Sequence, residues 1–439
     1  MIRKSPDPAR RPIGRGAPTR AARPKIGLEN SPGARPKIGL ALAGGGPLGA
    51  IYEIGALCAL EEAVPGLDLN ALDGYVGVSA GGLVAACLAN GMTPRQLCSA
   101  FIENSGPRGD VVRPGLFIRP ALSEYARRLA ALPGLMAMAG FGFAFKGRSM
   151  LASLEHLGRA LPTGLFSSAP LERQLRSLLA APGRSNDFRQ LERERGRRLV
   201  LVATDLDSGE AAPFGLPGWD HVPISEAAAA SAALPGLFPP VPIDGHWYVD
   251  GALKKTLHAR VLLDLGLDLV LCLNPLVPFD ASLARRHRVL GGAEERIPRL
   301  VDGGLPVVLS QTFRTLIHSR LELGMKGYQS SHPGTDIVLM EPDHSDPALF
   351  LANTFGYSQR RRLAEHAYQR TRADLRSRRS VLGATLARHG LALDNAVLDD
   401  SHRALLRHRR PAQGTRAAQA LRRLDEVLDD LQRSLVLRG

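Results

Sequence analysis

Between residues 37 and 90, short apolar runs alternate with longer runs at helical spacing. Residues 37–43 and 74–78 read as strands, and 48–62 and 80–90 as helices. That alternation predicts parallel strands joined by crossover helices, the pattern of a three-layer α/β core. Further strand-like runs are 198–203 and 269–273, with 238–243 and 247–249 flanking the Asp244-Gly245 turn. Between them, 225–233 is an alanine-rich helical run stopped by Pro235-Gly236. Beyond 275 the pattern predicts a loop-like segment, helices near 281–287 and over 308–325 and 357–375, and a strand at 337–340.

Two stretches break the rhythm. Residues 1–34 are rich in Arg, Pro, Gly and Ala without apolar periodicity and read as disordered and basic; Arg-Pro-Lys-Ile-Gly-Leu stands at both 23–28 and 35–40, but only the second copy runs on into a strand. Residues 105–165 read as a helical insertion. Within it, 129–145 is uncharged, carries Pro133-Gly134, and is flanked by Arg127-Arg128 and by Lys146 and Arg148. It is short for a spanning helix, and Pro-Gly should break it. Cap helices over a pocket are the first expectation and partial burial in a membrane interface the second, the basic flanks suiting an anionic surface, with a membrane span the least favoured of the three.

The resulting organisation is a disordered segment at 1–34, a catalytic-type α/β domain at 35–275 with its insertion as a lid or membrane-docking element, an α-rich part at 276–375 packed on that core, and a basic helical tail at 376–439. In the tail, Leu421, Leu424, Leu428, Leu431 and Leu435 form a stripe that reads as a docking face. A length of 439 residues fits about two to three structural units.

Charge and cysteine content narrow the classes. With 56 Lys and Arg against 42 Asp and Glu, the net charge of +14 favours anionic partners, phospholipid head groups or nucleic acid. Cys58, Cys87, Cys98 and Cys272 lie in or beside apolar runs without CxxC spacing or nearby histidine pairs, so buried reduced thiols are expected rather than disulfides or zinc ligands. Arg10 and Arg11 are followed by no apolar segment of the export type, which makes a cytoplasmic location the expectation and leaves membrane association open.

The chemistry begins at two glycine-framed turns. Gly44-Gly45-Gly46-Pro47-Leu48-Gly49 follows the first strand, and Gly77-Val78-Ser79-Ala80-Gly81 follows the second. The first alone would also serve a dinucleotide, but a Rossmann unit ends its second strand on an acidic residue, and here that strand runs into Gly77-Val78-Ser79. Ser79 therefore occupies the nucleophile position of a strand-turn-helix elbow. The N–H groups of Gly45 and Gly46 are placed to receive the developing alkoxide. For the base, His246 sits in a turn and His258, His318 and His366 in helix-like runs, none an obvious triad partner. Asp250, ahead of Gly251 at a strand's C-terminal end, is the alternative, provided burial raises its pKa from about 4. Asp205 and Asp207 read as turn-capping residues, and Trp219 and Trp247 as packing residues.

The ordered set Gly44-x-Gly46-x-x-Gly49, Gly77-x-Ser79-x-Gly81 and Asp250-Gly251-Ala252 resembles the patatin-like phospholipase family over roughly residues 36–275. The stretches 202–209 and 232–240 also resemble its bacterial members. The resemblance implies a mainly parallel α/β/α core and a Ser79–Asp250 dyad without histidine. Gly44, Gly45 and Gly46 become the oxyanion hole, and Gly49, Gly77, Gly81 and Gly251 support the motifs. It implies lipid acyl esters as substrates, an acyl-enzyme intermediate, and no metal or organic cofactor. Leu48 stands where many bacterial members carry Arg or Lys. Two other readings stay open: a histidine-dependent esterase of the α/β-hydrolase type, and a membrane- or nucleic-acid-binding protein with a vestigial site. No basic run interleaved with aromatics of the single-strand-binding kind is present, so nucleic acid is not the expected partner; the oligomeric state is left open.

Overall fold

The described residues form strands β1 (Ile38–Leu42), β2 (Gly74–Gly77), β3 (Arg198–Asp205), β4 (Ala211–Phe214), β5 (Val241–Ile243), β6 (His246–Asp250), β7 (Leu269–Leu273), β8 (His287–Arg288), β9 (Glu294–Glu295) and β10 (Asp336–Met340). The structure, a computed structural model, describes residues 35–105, 107, 110–112, 118–146, 160–282, 287–288, 294–295, 299–350 and 359–406. Eight of these strands make one sheet in the order β10-β7-β1-β2-β3-β6-β5, with β4 paired to β3 off that path. β10, β7, β1, β2 and β3 run parallel, whereas β4 and β6 are antiparallel to β3 and β5 is antiparallel to β6. β8 and β9 pair as a separate antiparallel ribbon.

Side chains alternate across the sheet, and the period of two sorts the central strands into two cores. Leu40, Leu42, Tyr75, Leu199, Leu201, Leu269, Leu271 and Leu273 belong to the larger one. Ala41, Ala43, Val76, Val200, Val202, Val270 and Cys272 belong to the smaller, on the opposite face. Over the larger core lie helices α1 (Gly46–Ala63), α2 (Ser79–Ala89), Ile224–Ser231 and Arg360–Ser377. The smaller is covered by helix Arg260–Asp264 and by Leu321 of helix Gly304–Ser331. This is the expected α/β/α arrangement.

Helix α1 is buried almost all round because it is sandwiched between the sheet and helix Arg360–Ser377. Gly55 permits the approach, since a Cβ there would lie 2.4 Å from the Ala364 carbonyl oxygen. The same helix buries Glu53, whose carboxyl oxygens meet no hydrogen-bond partner; burial holds this group well above the usual carboxylate range, in its neutral form.

Several details differ from the sequence reading. Helix Leu122–Lys146 runs through Pro133 without a break. Pro133 and Gly134 are both exposed, so water can serve the carbonyl that the proline leaves free. In the stretch read as a helix near 281–287, Ala281 and Ser282 form a turn and His287 opens β8; 283–286 lie outside the described residues. The segment 276–375 does more than pack on the core, since it supplies the edge strand β10. Described residues after 375 are also integral: Leu382, Leu386, Leu391, Leu398, Leu405 and Leu406 join the larger core. The four cysteines are free and buried. Among the described residues no helix is long and apolar enough to cross a membrane. The basic segment 1–34 and the leucine stripe 421–435 lie outside the described residues.

Candidate active site

Two strands meet end to end at the site. β2 ends at Gly77 opposite Leu201, and β6 ends at Asp250 opposite Ala203. Leu201 and Ala203 also face Phe214 and Ala212 of β4, so β4 takes one edge of β3 while β2 and β6 share the other. Running toward each other along that edge, β2 and β6 leave only Val202 between their ends. The Ser79 elbow and the Asp250-Gly251 turn are thereby brought together from positions far apart in sequence.

Close packing dictates the glycines of the elbow. A Cβ on Gly77 would lie 2.5 Å from Gly82 Cα, and one on Gly81 would lie 2.3 Å from the Ala43 carbonyl oxygen. Across the junction, a Cβ on Gly251 would lie 2.1 Å from the Val202 carbonyl oxygen. Ser79 itself has a left-handed backbone, φ 54°, a conformation that costs an L-residue about 1–2 kcal/mol. A hydrogen bond opposes that cost: Ser79 N–H donates to Ser231 Oγ at 2.8 Å, and the Ser231 hydroxyl donates to the Val202 carbonyl at 2.6 Å.

The glycine turn after β1 lies alongside, because β1 and β2 are in register with Leu42 opposite Gly77. A Cβ on Gly44 would approach Ser79 Cβ to 3.1 Å, and one on Gly45 would lie 2.8 Å from Gly49 Cα. Gly46 has φ +60°, which suits glycine. Pro275 packs against Gly45 and Gly49, and Leu276 against Gly44, closing the turn from the side of β7. Among the described residues no acceptor engages the N–H groups of Gly44 and Gly45, and Gly46 lies in the first helical turn, where N–H groups lack an intrahelical acceptor. The N-termini of α1 and α2 both open here, adding positive dipole ends to the same small volume.

Asp250 is 3 % exposed and Ser79 6 %. The Asp250 carboxylate accepts from Ala252 N–H at 2.9 Å, and that bond and the neighbouring Ser79 hydroxyl both pull its pKa down. Desolvation outweighs both effects and raises the Asp250 pKa to about 6. His258, eight residues beyond Asp250, turns its Nε2 to the Gly251 carbonyl at 3.4 Å. Burial depresses its pKa to about 4, so it is neutral at pH 7. Among the described residues no histidine bonds to Ser79 or Asp250. His246 pairs with Asp205, and His366 with Asp346. Asp205 Oδ1 accepts from the N–H groups of Asp207 and Ser208, a turn-capping use.

All the glycines singled out in sequence, with Ser79 and Asp250, thus converge on one locus. Ser231 and Thr204, whose hydroxyl donates to the Asp250 carbonyl at 3.3 Å, carried no sequence signal of their own. One ends an alanine-rich helix and the other lies within a strand; only the tertiary pairing gives them partners.

A model described as patatin-like phospholipase matches residues 40–263. Among solved structures the chain is similar to VipD from Legionella pneumophila, at 17% identity and a TM-score of 0.34, covering 78% of this chain and 67% of that one. It is also similar to ExoU of the type III secretion system of Pseudomonas aeruginosa, solved in complex with SpcU, at 18% identity and a TM-score of 0.32. That likeness covers 78% of this chain and 53% of ExoU, so the chain spans about half the length of that protein.

Proposed function

The chain belongs to the patatin-like phospholipase family, and from that premise we propose that it is a serine lipid acyl hydrolase working through a Ser79–Asp250 dyad. The observation that carries the reading is the meeting of the β2 and β6 ends, which sets the Ser79 elbow beside a buried carboxylate whose pKa stands at about 6. A base of that pKa is ionised at pH 7 and far better matched to accepting a hydroxyl proton than an exposed carboxylate.

In this reading Ser79 Oγ attacks the ester carbonyl as its proton passes to Asp250. The carbonyl oxygen, now an alkoxide, is received by the N–H groups of Gly44, Gly45 and Gly46, with the dipoles of α1 and α2 adding to the stabilisation. Collapse of the tetrahedral intermediate expels the alcohol, which takes the proton from Asp250 and leaves an acyl-Ser79 ester. Water then attacks that ester as Asp250 takes its proton, and on collapse of the second tetrahedral intermediate the acyl–Oγ bond breaks, Asp250 returns the proton to Ser79 Oγ, and the fatty acid departs. No histidine takes part in these steps.

A lipid surface is the proposed setting. Helix Gly304–Ser331 flanks the Asp250 side of the site: Arg320 donates to the Leu253 carbonyl at 2.9 Å, and Leu321 shares the smaller core with Ala252. On its outer face Leu305, Val308, Leu309, Phe313, Leu316 and Leu323 are exposed, and from 304 to 319 its exposed residues are all uncharged. Such an apolar strip beside the site, on a chain of net charge +14, suits peripheral contact with an anionic membrane.

The test is fatty-acid release from vesicles of mixed phospholipid and neutral acylglycerol, comparing the wild type with Ser79→Ala. Ser79-dependent release supports the reading, and the products show which ester is cleaved. A folded wild type no faster than Ser79→Ala on either lipid class contradicts it.

A further inference from the structure

We propose that His318, Glu341 and His344 form a binding site for a divalent transition metal ion, zinc by ligand preference, separate from the Ser79–Asp250 pair. One ligand atom from each of the three residues lies within 4.8 Å of the other two. His318 projects from helix Gly304–Ser331, Glu341 directly follows β10, and His344 comes three residues later. Two imidazoles and a carboxylate are a zinc-type donor set, complete enough to leave one position for water.

Three details favour an ion over a plain polar cluster. His318 Nδ1 is fully buried with no hydrogen-bond partner, yet it faces Glu341 Oε1 at 3.6 Å, too far for a hydrogen bond. Ligands about 2.0–2.1 Å from a tetrahedral zinc ion stand about 3.3 Å from each other, so this gap is close to that of two ligands sharing an ion. Outer-shell support is also in place. Asn274 Nδ2 donates to Glu341 Oε1 at 2.7 Å, and His318 Nε2 faces Glu322 Oε1 at 3.4 Å, the arrangement that orients a metal-bound imidazole. Finally, the His318 and His344 rings are 4.8 Å apart and edge-on at 78°, and His344 lines a small cleft with Arg314, Phe279 and Phe350 that offers a way in. Closing the group around an ion requires ligand atoms now up to 4.8 Å apart to draw in by about 1.5 Å at most, within the reach of side-chain rotation.

Occupancy would reach the glycine turn through the chain. Asn274 directly precedes Pro275 and Leu276, which pack on Gly45, Gly49 and Gly44. An ion holding Glu341 against Asn274 would brace that wall.

The experiment titrates the full-length protein with Zn2+ against a chromogenic chelator and with Co2+ by visible absorption, and follows the melting temperature in parallel. The wild type should bind one equivalent, show the intense visible bands of tetrahedral cobalt, and melt at higher temperature with Zn2+. His344→Ala and Glu341→Ala should each weaken binding by about 100-fold or more and lose the thermal shift, while His402→Ala, at an exposed histidine outside the cluster, should bind as the wild type does. Ser79→Ala should also bind normally, which separates this site from the hydrolase reading. Wild type and His344→Ala binding Zn2+ equally, or a wild type that binds none, would overturn the proposal.

Discussion

The backbone N–H of Ser79 donates a 2.8 Å hydrogen bond to the Ser231 hydroxyl, which in turn donates one to the Val202 carbonyl at 2.6 Å. Val202 sits at the gap where β2 has ended and β6 has not begun, so its carbonyl gets no strand partner on that edge. Ser231 fills the gap and, in doing so, anchors the strained backbone of the elbow. Ser231→Ala would leave one buried donor and one buried acceptor unpaired, a loss of about 1–3 kcal/mol in stability. The expected kinetic effect is a drop in kcat of about tenfold or more with KM little changed, because Ser231 positions Ser79 without touching substrate. Ser231→Thr keeps the hydroxyl and should recover most of kcat. Steady-state kinetics on the three proteins check this, and a Ser231→Ala enzyme with wild-type kcat removes the positioning role.

The raised pKa of Asp250 sets the pH dependence in two opposite senses. The carboxylate must be ionised to accept a proton, so kcat/KM should climb with pH through about 6 and level off above it. Folding, by contrast, favours the neutral form, since the folded pKa of about 6 exceeds the ordinary 3.8. Asp250 therefore favours the folded state fully below pH 4, and this contribution is lost as pH rises through 6. Asp250→Asn should be inactive, yet its melting temperature should gain on the wild type's between pH 4 and pH 8. A variant that gains nothing over that range would show the carboxylate to be less desolvated than it looks.

Glycines of the two turns should fail in different ways. Gly81→Ala brings a Cβ to 2.3 Å from the Ala43 carbonyl oxygen, where backbone must move, and the expected result is loss of soluble folded protein. Gly44→Ala meets Ser79 Cβ at 3.1 Å and Ala252 Cβ at 3.3 Å, contacts that a small shift can relieve. That variant should fold and lose about 100-fold or more in kcat, because the shift occurs where the alkoxide is received. Circular dichroism alongside ester hydrolysis separates the two outcomes.

The exposed face of helix Gly304–Ser331 gives a third separation, between binding and chemistry. Phe313→Ser with Leu316→Ser removes two exposed apolar side chains, each worth about 1.5–3 kcal/mol when fully buried. Affinity for anionic vesicles should fall by tenfold or more in a sedimentation assay, while hydrolysis of a short-chain, water-soluble ester stays at the wild-type rate. Unchanged vesicle binding would place the membrane contact elsewhere.

The parallel core was legible because it is periodic. Residues 269–273 are β7 to the residue, and α1 and α2 begin at the two glycine turns singled out in sequence. Less regular elements escaped. β4 is four residues long with a proline at 213, and it is paired on one side only, so neither length nor composition announced it. The proline in helix Leu122–Lys146 was read as a break, since sequence alone does not say that the carbonyl it frees faces solvent. At the site, glycines and Ser79 could be found because close backbone approach admits few residue types. Ser231, 152 residues from Ser79, could not be found, because a buried serine acquires its role only from what the fold puts beside it. The same is true of His318, Glu341 and His344, whose spacing matches no short metal-binding pattern.

The most direct test of the central claim is labelling with a fluorophosphonate at pH 7.5, followed by peptide mass mapping, in wild type, Asp250→Asn and His258→Gln. The Ser79–Asp250 account predicts one phosphonylated residue, Ser79, with labelling slowed by about 100-fold or more in Asp250→Asn and unaltered in His258→Gln. Loss of labelling in His258→Gln with retention in Asp250→Asn would contradict it and assign the base to the histidine.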